Sequence, residues 1–164
     1  NYLATNLSPI MQKLLLDFYV FSKFIWLVLV LAFGWYSNLV VVIFTAYIIS
    51  ETVIYILSMI VLPDYYKRSM IFSRLMIMLI FNYFQVSLAF SVIHLYGDFL
   101  NESLTPITAI YFSVITMTTL GYGEFYPVTE TGYIITIIQS IIFALFVMLF
   151  INYFSPETVE SAND

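Results

Sequence analysis

The fold is decided by the stretch Thr118-Thr119-Leu120-Gly121-Tyr122-Gly123-Glu124. Its two glycines stand at alternate positions, and glycine adopts positive φ at little steric cost. When alternate residues of an extended segment take positive φ, successive backbone carbonyls point to the same side. Such a row of oxygens can replace the water around a dehydrated cation. The stretch therefore predicts a backbone that binds cations through its carbonyl groups.

Two side chains of this stretch fit the same prediction. Thr119 adds a hydroxyl oxygen at the inner end of the row, and the ring of Tyr122 can pack outward and hold the diameter of a carbonyl ring. A Gly-Tyr-Gly triplet also occurs as an ordinary turn in an aromatic-rich chain. The flanking sequence therefore has to decide between these two interpretations.

The composition indicates a chain that lies in a lipid bilayer. Its 164 residues are 62% hydrophobic and only 9% charged, whereas soluble domains have roughly 25% charged residues. Such a chain cannot cover itself with polar surface. It has no cysteine, which excludes disulfides and thiolate metal sites. The net charge of −5 argues against nucleic acid as a partner.

Four apolar segments are long enough to cross a hydrocarbon core, which takes roughly 20 helical residues. They cover about residues 14–36, 39–62, 70–96 and 132–154. A further apolar run, 107–117, is too short to cross. Thr105-Pro106 precedes it and predicts a helix start, because threonine is a good N-cap and proline suits the first helical position.

The basic residues indicate the orientation of these spans. There are five, namely Lys13, Lys23, Lys67, Arg68 and Arg74. They fall near the start of the first span, between the second and third spans, and at the start of the third. The positive-inside rule then places the N-terminus, this loop and the C-terminus in the cytoplasm. The loops left outside carry only acidic charges, at Asp98, Glu102, Glu124 and Glu130.

The short run has a natural role as a helix that dips halfway into the membrane. It would begin at Thr105 near the outer surface and end near Thr118, where the negative end of its dipole favours a cation. The segment after it would return outward as irregular backbone. Such backbone is tolerated at membrane depth only where it is buried in protein or lines a water-filled cavity.

From the third span to the fourth, the chain resembles the tetrameric potassium channels, whose filter has the sequence Thr-Val-Gly-Tyr-Gly. The resemblance implies an all-α membrane protein, with four transmembrane helices, a re-entrant pore helix, an extended selectivity filter and a homotetrameric pore. It implies an N-terminal two-helix hairpin over 1–69, a pore domain over 70–154 and a cytoplasmic tail over 155–164. Within the pore domain it assigns the pore helix to 106–118, the filter to 119–123 and the inner helix to 132–154.

The resemblance also implies roles for individual residues. The filter consists of Thr119, Leu120, Gly121, Tyr122 and Gly123, with K⁺ bound at the first four. Filter support and the outer mouth are assigned to Thr118, Tyr111, Glu124 and Asp98. The Tyr111 hydroxyl is expected to bond to Glu124. Leu120 replaces the commoner valine, and Ile115 stands where some members have a carboxylate.

Gating is less determined by the sequence. The first two spans contain no arginine, so we do not expect an arginine voltage sensor. Glu51 lies mid-span, where a carboxylate is costly; it could accept an interhelical hydrogen bond, sense protons or bind a ligand. On the inner helix, Ala144 lies near the family's usual glycine hinge, and Phe146 could form a hydrophobic constriction or pack against lipid. Asp17 and Lys23 are expected near the inner interface.

The sequence therefore predicts a multi-pass K⁺-selective channel of the cell membrane. Its partners would be copies of itself, lipid and permeant K⁺, with no other cofactor and no nucleic acid. Both ends look trimmed, so we expect a cytoplasmic regulatory domain outside this chain, or regulation by pH. The alternatives are a non-selective cation channel and a non-conducting accessory membrane protein. An enzyme is not expected, because His94 is the only histidine and an interfacial role suits it better.

Overall fold

The computed structural model describes residues 9–62 and 72–154 of the chain. Over these residues it contains five α-helices, in the order α1 Pro9–Phe33, α2 Leu39–Val61, α3 Phe72–Gly97, α4 Pro106–Met117 and α5 Glu130–Phe154. A short 3-10 turn, Trp35–Ser37, joins α1 to α2. The all-α membrane fold that the sequence predicts is confirmed.

Three of the helices are long and apolar enough to cross a membrane, counted over the described residues. The candidate spans are Leu39–Val61, Arg74–Gly97 and Glu130–Asn152. Helix α1 has 25 residues, and its role as a fourth membrane span stays a prediction. The short helix α4 has only 12 residues, which agrees with the predicted half-length helix.

Local sequence explains where the first helical hairpin turns. Gly34 has φ of 73°, a left-handed conformation that glycine adopts without strain. Asn38 then begins α2, since its side-chain oxygen accepts a hydrogen bond from the Val40 backbone N–H at 2.9 Å. This cap satisfies one of the helix's unpaired N-terminal donors.

Helix α3 is the centre of the bundle, because it packs against α1, α2, α4 and α5. Its apolar side chains meet those of the other helices in one core, which includes Leu27, Ile56, Leu79, Phe146 and Leu149. The opposite faces of α2 and α5 expose large apolar side chains, for example Val40, Ile54, Ile137 and Ile151. These faces are suited to lipid or to further copies of the chain.

Some of the sequence predictions lie outside the described residues. Lys67 and Arg68, the proposed inner loop between the second and third spans, belong to this group, as does the tail over 155–164. The predicted domain boundaries therefore stay predictions. Where boundaries can be compared, the pore helix ends at Met117, one residue before the predicted end, and the inner helix begins at Glu130, two residues before the predicted start.

Candidate functional site

The site is built on the end of the half-length helix α4. A reciprocal capping box begins this helix: Thr105 Oγ1 accepts from the Thr108 backbone N–H at 3.3 Å, and Thr108 Oγ1 accepts from the Thr105 N–H at 2.8 Å. At the other end, Thr118 has φ of −90° and ψ of 0° and its hydroxyl donates to the Val114 carbonyl at 2.9 Å. The chain then leaves the helix directly into the glycine-containing segment.

The backbone after α4 has positive φ at every second residue. The values are 57° at Thr119, 50° at Gly121 and 83° at Gly123. The alternation expected from the two glycines is confirmed, and it extends one step further, to Thr119. Leu120 and Tyr122, which lie between them, are not in this conformation, and such an alternation is the backbone geometry that a row of carbonyls directed to one side requires. We call this segment (119–123) the filter segment.

The positive φ at Thr119 needs support from its surroundings, since a non-glycine residue in this region costs about 1–2 kcal/mol. Two backbone hydrogen bonds supply it. The Thr119 N–H donates to the Thr116 carbonyl at 3.2 Å, and the Leu120 N–H donates to the Ile115 carbonyl at 3.0 Å. The last turn of α4 thus fixes the start of the filter segment.

The filter segment is open on the side away from its own chain. The Leu120 side chain is 61% exposed and the Tyr122 side chain 67% exposed. Irregular backbone at membrane depth has to be buried in protein or line a water-filled cavity. The exposed surface of this segment is therefore suited to contact with further protein.

A network of buried polar side chains fixes α4 to its neighbouring helices. The Ser113 hydroxyl donates to the Ser87 carbonyl of α3 at 2.6 Å. From α5, Gln139 Nε2 donates to the Ser113 carbonyl at 3.0 Å and to the Ser113 hydroxyl at 2.9 Å. All three side chains are buried. The network thus joins α3 and α5 to α4, the helix that carries the filter segment.

His94 is the fourth member of this network, and its expected place at the membrane interface stays a prediction. It is fully buried, and its Nε2 lies 3.1 Å from Gln139 Oε1. Because the Gln139 amide nitrogen faces Ser113, its oxygen faces the imidazole, so the neutral His94 ring donates from Nε2. Its Nδ1 has no partner among the described residues. The ring packs edge-on against Phe112, with centroids 4.9 Å apart.

The outer end of the segment is supported by Tyr111. Its hydroxyl donates to a Glu124 carboxylate oxygen at 3.2 Å, the contact that the sequence suggested. Its ring lies parallel to that of Tyr122, 6.5 Å away, and edge-on to Phe125. Partial desolvation, together with the bond to Glu124, raises the pKa of Tyr111 above its ordinary value. The hydroxyl therefore stays protonated and keeps donating near neutral pH.

Asn101 fastens the turn that follows the filter segment, a role that the sequence analysis missed. Its Nδ2 donates to the Glu124 carbonyl at 3.1 Å, and its Oδ1 accepts from the Tyr126 N–H at 2.9 Å. Its own backbone N–H donates to the Tyr126 carbonyl at 3.0 Å. The loop between α3 and α4 is thereby tied to the exit of the filter segment.

Replacing Asn101 with aspartate is expected to destabilise the turn that follows the filter segment. The change keeps the acceptor for Tyr126 but removes the donor to the Glu124 carbonyl, and it places an anion beside that carbonyl oxygen. We expect a stability loss of about 1 kcal/mol, the net value of one hydrogen bond, measured as the thermal midpoint of the purified protein. Asn101→Gln is the control, since it retains both groups, and an equal loss in both variants would contradict the donor role.

Asp98 is placed differently from the other outer residues. It follows the last residue of α3 and has φ of 46°, its backbone N–H donates to the His94 carbonyl at 3.2 Å, and its side chain is exposed. Its assignment to the outer mouth stays a prediction.

The proposed gating residues lie in three different environments. Glu51 accepts a hydrogen bond from the Tyr19 hydroxyl at 2.8 Å and pairs with Lys23 at 3.4 Å, so an interhelical bond is present. Phe146 is buried and packs edge-on against Tyr83 of α3, with centroids 5.6 Å apart. Ala144 is exposed on α5. Whether any of them gates a pore stays a prediction.

The charged residues near the start of α3 are also paired. Arg74 Nη2 lies 2.6 Å from Asp17 Oδ1 of α1.

In the described residues, no group of three or more acidic, histidine or cysteine side chains is suited to hold a metal ion.

Comparison with known proteins agrees with this geometry. A sequence model described as "Ion channel" matches residues 36–159, which include the filter segment, its supporting helices and α2. No curated protein and no solved structure matches the chain. The match covers well over half of the chain, and the chain belongs to this ion channel family.

Proposed function

We propose that the chain forms a K⁺-selective pore through which K⁺ crosses the cell membrane passively. The observation that carries this proposal is the alternation of positive φ at Thr119, Gly121 and Gly123. It directs a row of backbone carbonyls to one side, and such rows replace the hydration shell of K⁺. Within the row, K⁺ binds at Thr119, Leu120, Gly121 and Tyr122.

The pore is a homotetramer in this proposal. One chain contributes one row of carbonyls, whereas a dehydrated ion needs oxygens from all around. The exposed Leu120 and Tyr122 side chains and the bare apolar face of α5 supply the surface that further copies would cover. Closed rotational symmetry is the usual arrangement of identical subunits. Native mass spectrometry of the purified protein should find four chains per particle.

The proposal includes the orientation of the chain across the membrane. The N- and C-termini lie in the cytoplasm, since four of the five basic residues, Lys13, Lys67, Arg68 and Arg74, fall on the side that the positive-inside rule assigns to it. The filter segment then opens to the exterior beside Glu124. Gating is assigned to a cytoplasmic ligand-binding domain or to pH, because the first two helices carry no arginine.

Bi-ionic recording tests the proposal directly. We expect channels reconstituted in planar bilayers, with K⁺ on one side and Na⁺ on the other, to reverse far from zero. Each tenfold preference for K⁺ shifts the reversal potential by about 59 mV for a monovalent ion. A reversal near zero would establish the non-selective cation channel instead. A complete absence of flux from vesicles that contain tetramers would indicate an accessory protein.

A further inference from the structure

A cavity of about 310 Å³ lies between α1, α2 and α3. Two ion pairs line it, Lys23 with Glu51 and Asp17 with Arg74. Most of the remaining wall is apolar and includes Val20, Ile54, Tyr55 and Met78. Pockets for small molecules have this character, being mainly apolar with a few placed polar groups, and begin at about 300 Å³.

Glu51 lines this cavity near the middle of α2. It precedes the last residue of α2, Val61, by ten residues, which is about 15 Å along a helix. That is half of a hydrocarbon core of about 30 Å. A carboxylate at such a depth is costly unless partners satisfy it, and it marks a functional site by default.

The partners in the structure satisfy Glu51 only in part. Its Oε2 accepts from the Tyr19 hydroxyl and from Lys23 Nζ, the latter at 3.4 Å. A charge-assisted bond of this kind is normally about 2.7–2.9 Å long. Lys23 Nζ also lies 4.4 Å from the centroid of the Tyr19 ring, so a cation–π interaction with this ring competes with its pairing to Glu51. Glu51 Oε1 makes no hydrogen bond to any residue in 9–62 or 72–154.

The exposure of the two partners shows which charge faces the cavity. The Glu51 side chain is 32% exposed, against 10% for Lys23. In the second pair, too, the carboxylate is the more exposed partner, with 30% for Asp17 against 21% for Arg74. The open space therefore meets a carboxylate oxygen with unused acceptor capacity beside a largely apolar wall. An anion would be repelled by this oxygen, and a hydrocarbon would leave it unsatisfied. A cation that carries N–H donors and an apolar body complements both features.

We propose that this cavity binds a small lipophilic amine. Its ammonium N–H donates to Glu51 Oε1, and its hydrocarbon part packs along Val20, Ile54 and Met78. Because the bond requires an N–H donor, a quaternary ammonium of the same length binds less well. The site lies on α1 to α3, apart from the filter segment, so binding does not depend on K⁺ conduction.

Binding of n-octylamine to the whole chain in nanodiscs tests the proposal, with empty nanodiscs as the blank. We expect saturable calorimetric binding of one molecule per chain. The affinity should exceed that of n-octanol and of octyltrimethylammonium by about tenfold or more, since charged hydrogen bonds are the stronger ones. Glu51→Gln should remove this preference. Glu130→Gln, which changes a carboxylate outside the cavity, should retain it.

A second variant keeps the test decisive if Glu51→Gln does not fold. Val20→Phe fills the cavity while leaving the carboxylate in place, and it should also remove saturable binding. Equal uptake of the amine and the alcohol would show simple partitioning into lipid and overturn the proposal. Non-saturable uptake by the wild-type chain would show that the cavity does not bind the amine, with the same consequence. Selectivity for K⁺ is measured separately, so failure of either proposal leaves the other intact.

Discussion

Replacing Gly121 with alanine is expected to abolish K⁺-selective flux. A Cβ at this position would meet no atom of its own chain within 4 Å, so crowding within the chain does not oppose the change. The backbone conformation does oppose the change, because φ at Gly121 is 50°. An L-residue in this conformation costs about 1–2 kcal/mol, or about 4–8 kcal/mol for a ring of four copies. Relaxation to negative φ would turn a carbonyl away from the row and remove a ligand for K⁺. Flux from vesicles loaded with K⁺ measures the loss.

Gly34 provides a matched control for this substitution. Its φ is 73°, and a Cβ added to it would also meet nothing within 4 Å. Gly34→Ala therefore introduces a similar strain of about 1–2 kcal/mol, but at the turn after α1. We expect it to lower the thermal midpoint and to retain K⁺ selectivity. Preserved selective flux in Gly121→Ala, or its equal loss in both variants, would contradict the role assigned to the filter backbone.

Local rules explain why much of the site could be predicted from sequence. The start of α4 follows from Thr105 and Pro106, whose capping and φ preferences act over one helical turn. The two positive φ values at Gly121 and Gly123 follow from glycine's lack of a Cβ. These features depend only on neighbours within a few residues, so the amino-acid sequence alone is enough to predict them.

The unpredicted features depend on contacts between distant residues. Threonine has no preference for positive φ, so the conformation of Thr119 arises from the hydrogen bonds that the end of α4 imposes. His94 meets Gln139 across 45 residues, which explains why its side chain is buried. One signal was available in the sequence: Gln139 is a polar amide in an apolar span, and such residues usually find interhelical partners. Asn101, in a loop, offered no comparable signal.

The network behind α4 bears on function because it fixes the helix whose last turn holds the filter segment. Ser113 receives bonds from Gln139 of α5 and donates to Ser87 of α3. The carbonyl of Ile115, two residues further along α4, accepts from the Leu120 N–H. A displacement of α4 would therefore be passed directly to the start of the filter segment.

Gln139→Leu is accordingly expected to destabilise both the fold and the filter. Leucine has a similar size but makes none of the three polar contacts, and it leaves the buried His94 Nε2 without an acceptor. Interhelical hydrogen bonds in membranes contribute about 0.6 kcal/mol each on average, and an unsatisfied buried donor costs about 1–3 kcal/mol. We therefore expect a loss of about 2–4 kcal/mol in stability. Differential scanning fluorimetry should show it, and bi-ionic recording should show a reduced preference for K⁺ over Na⁺.

Gln85→Leu separates these two effects. Gln85 is also a buried amide, but its Nε2 donates to Thr52 Oγ1 of α2 at 3.2 Å and not to the helix that carries the filter segment. Its Oε1 has no partner among the residues described, so leucine removes an unsatisfied acceptor together with one hydrogen bond. We expect little change in stability and unchanged selectivity. Reduced selectivity in Gln85→Leu, or full selectivity in Gln139→Leu, would show that the network behind α4 does not control the filter.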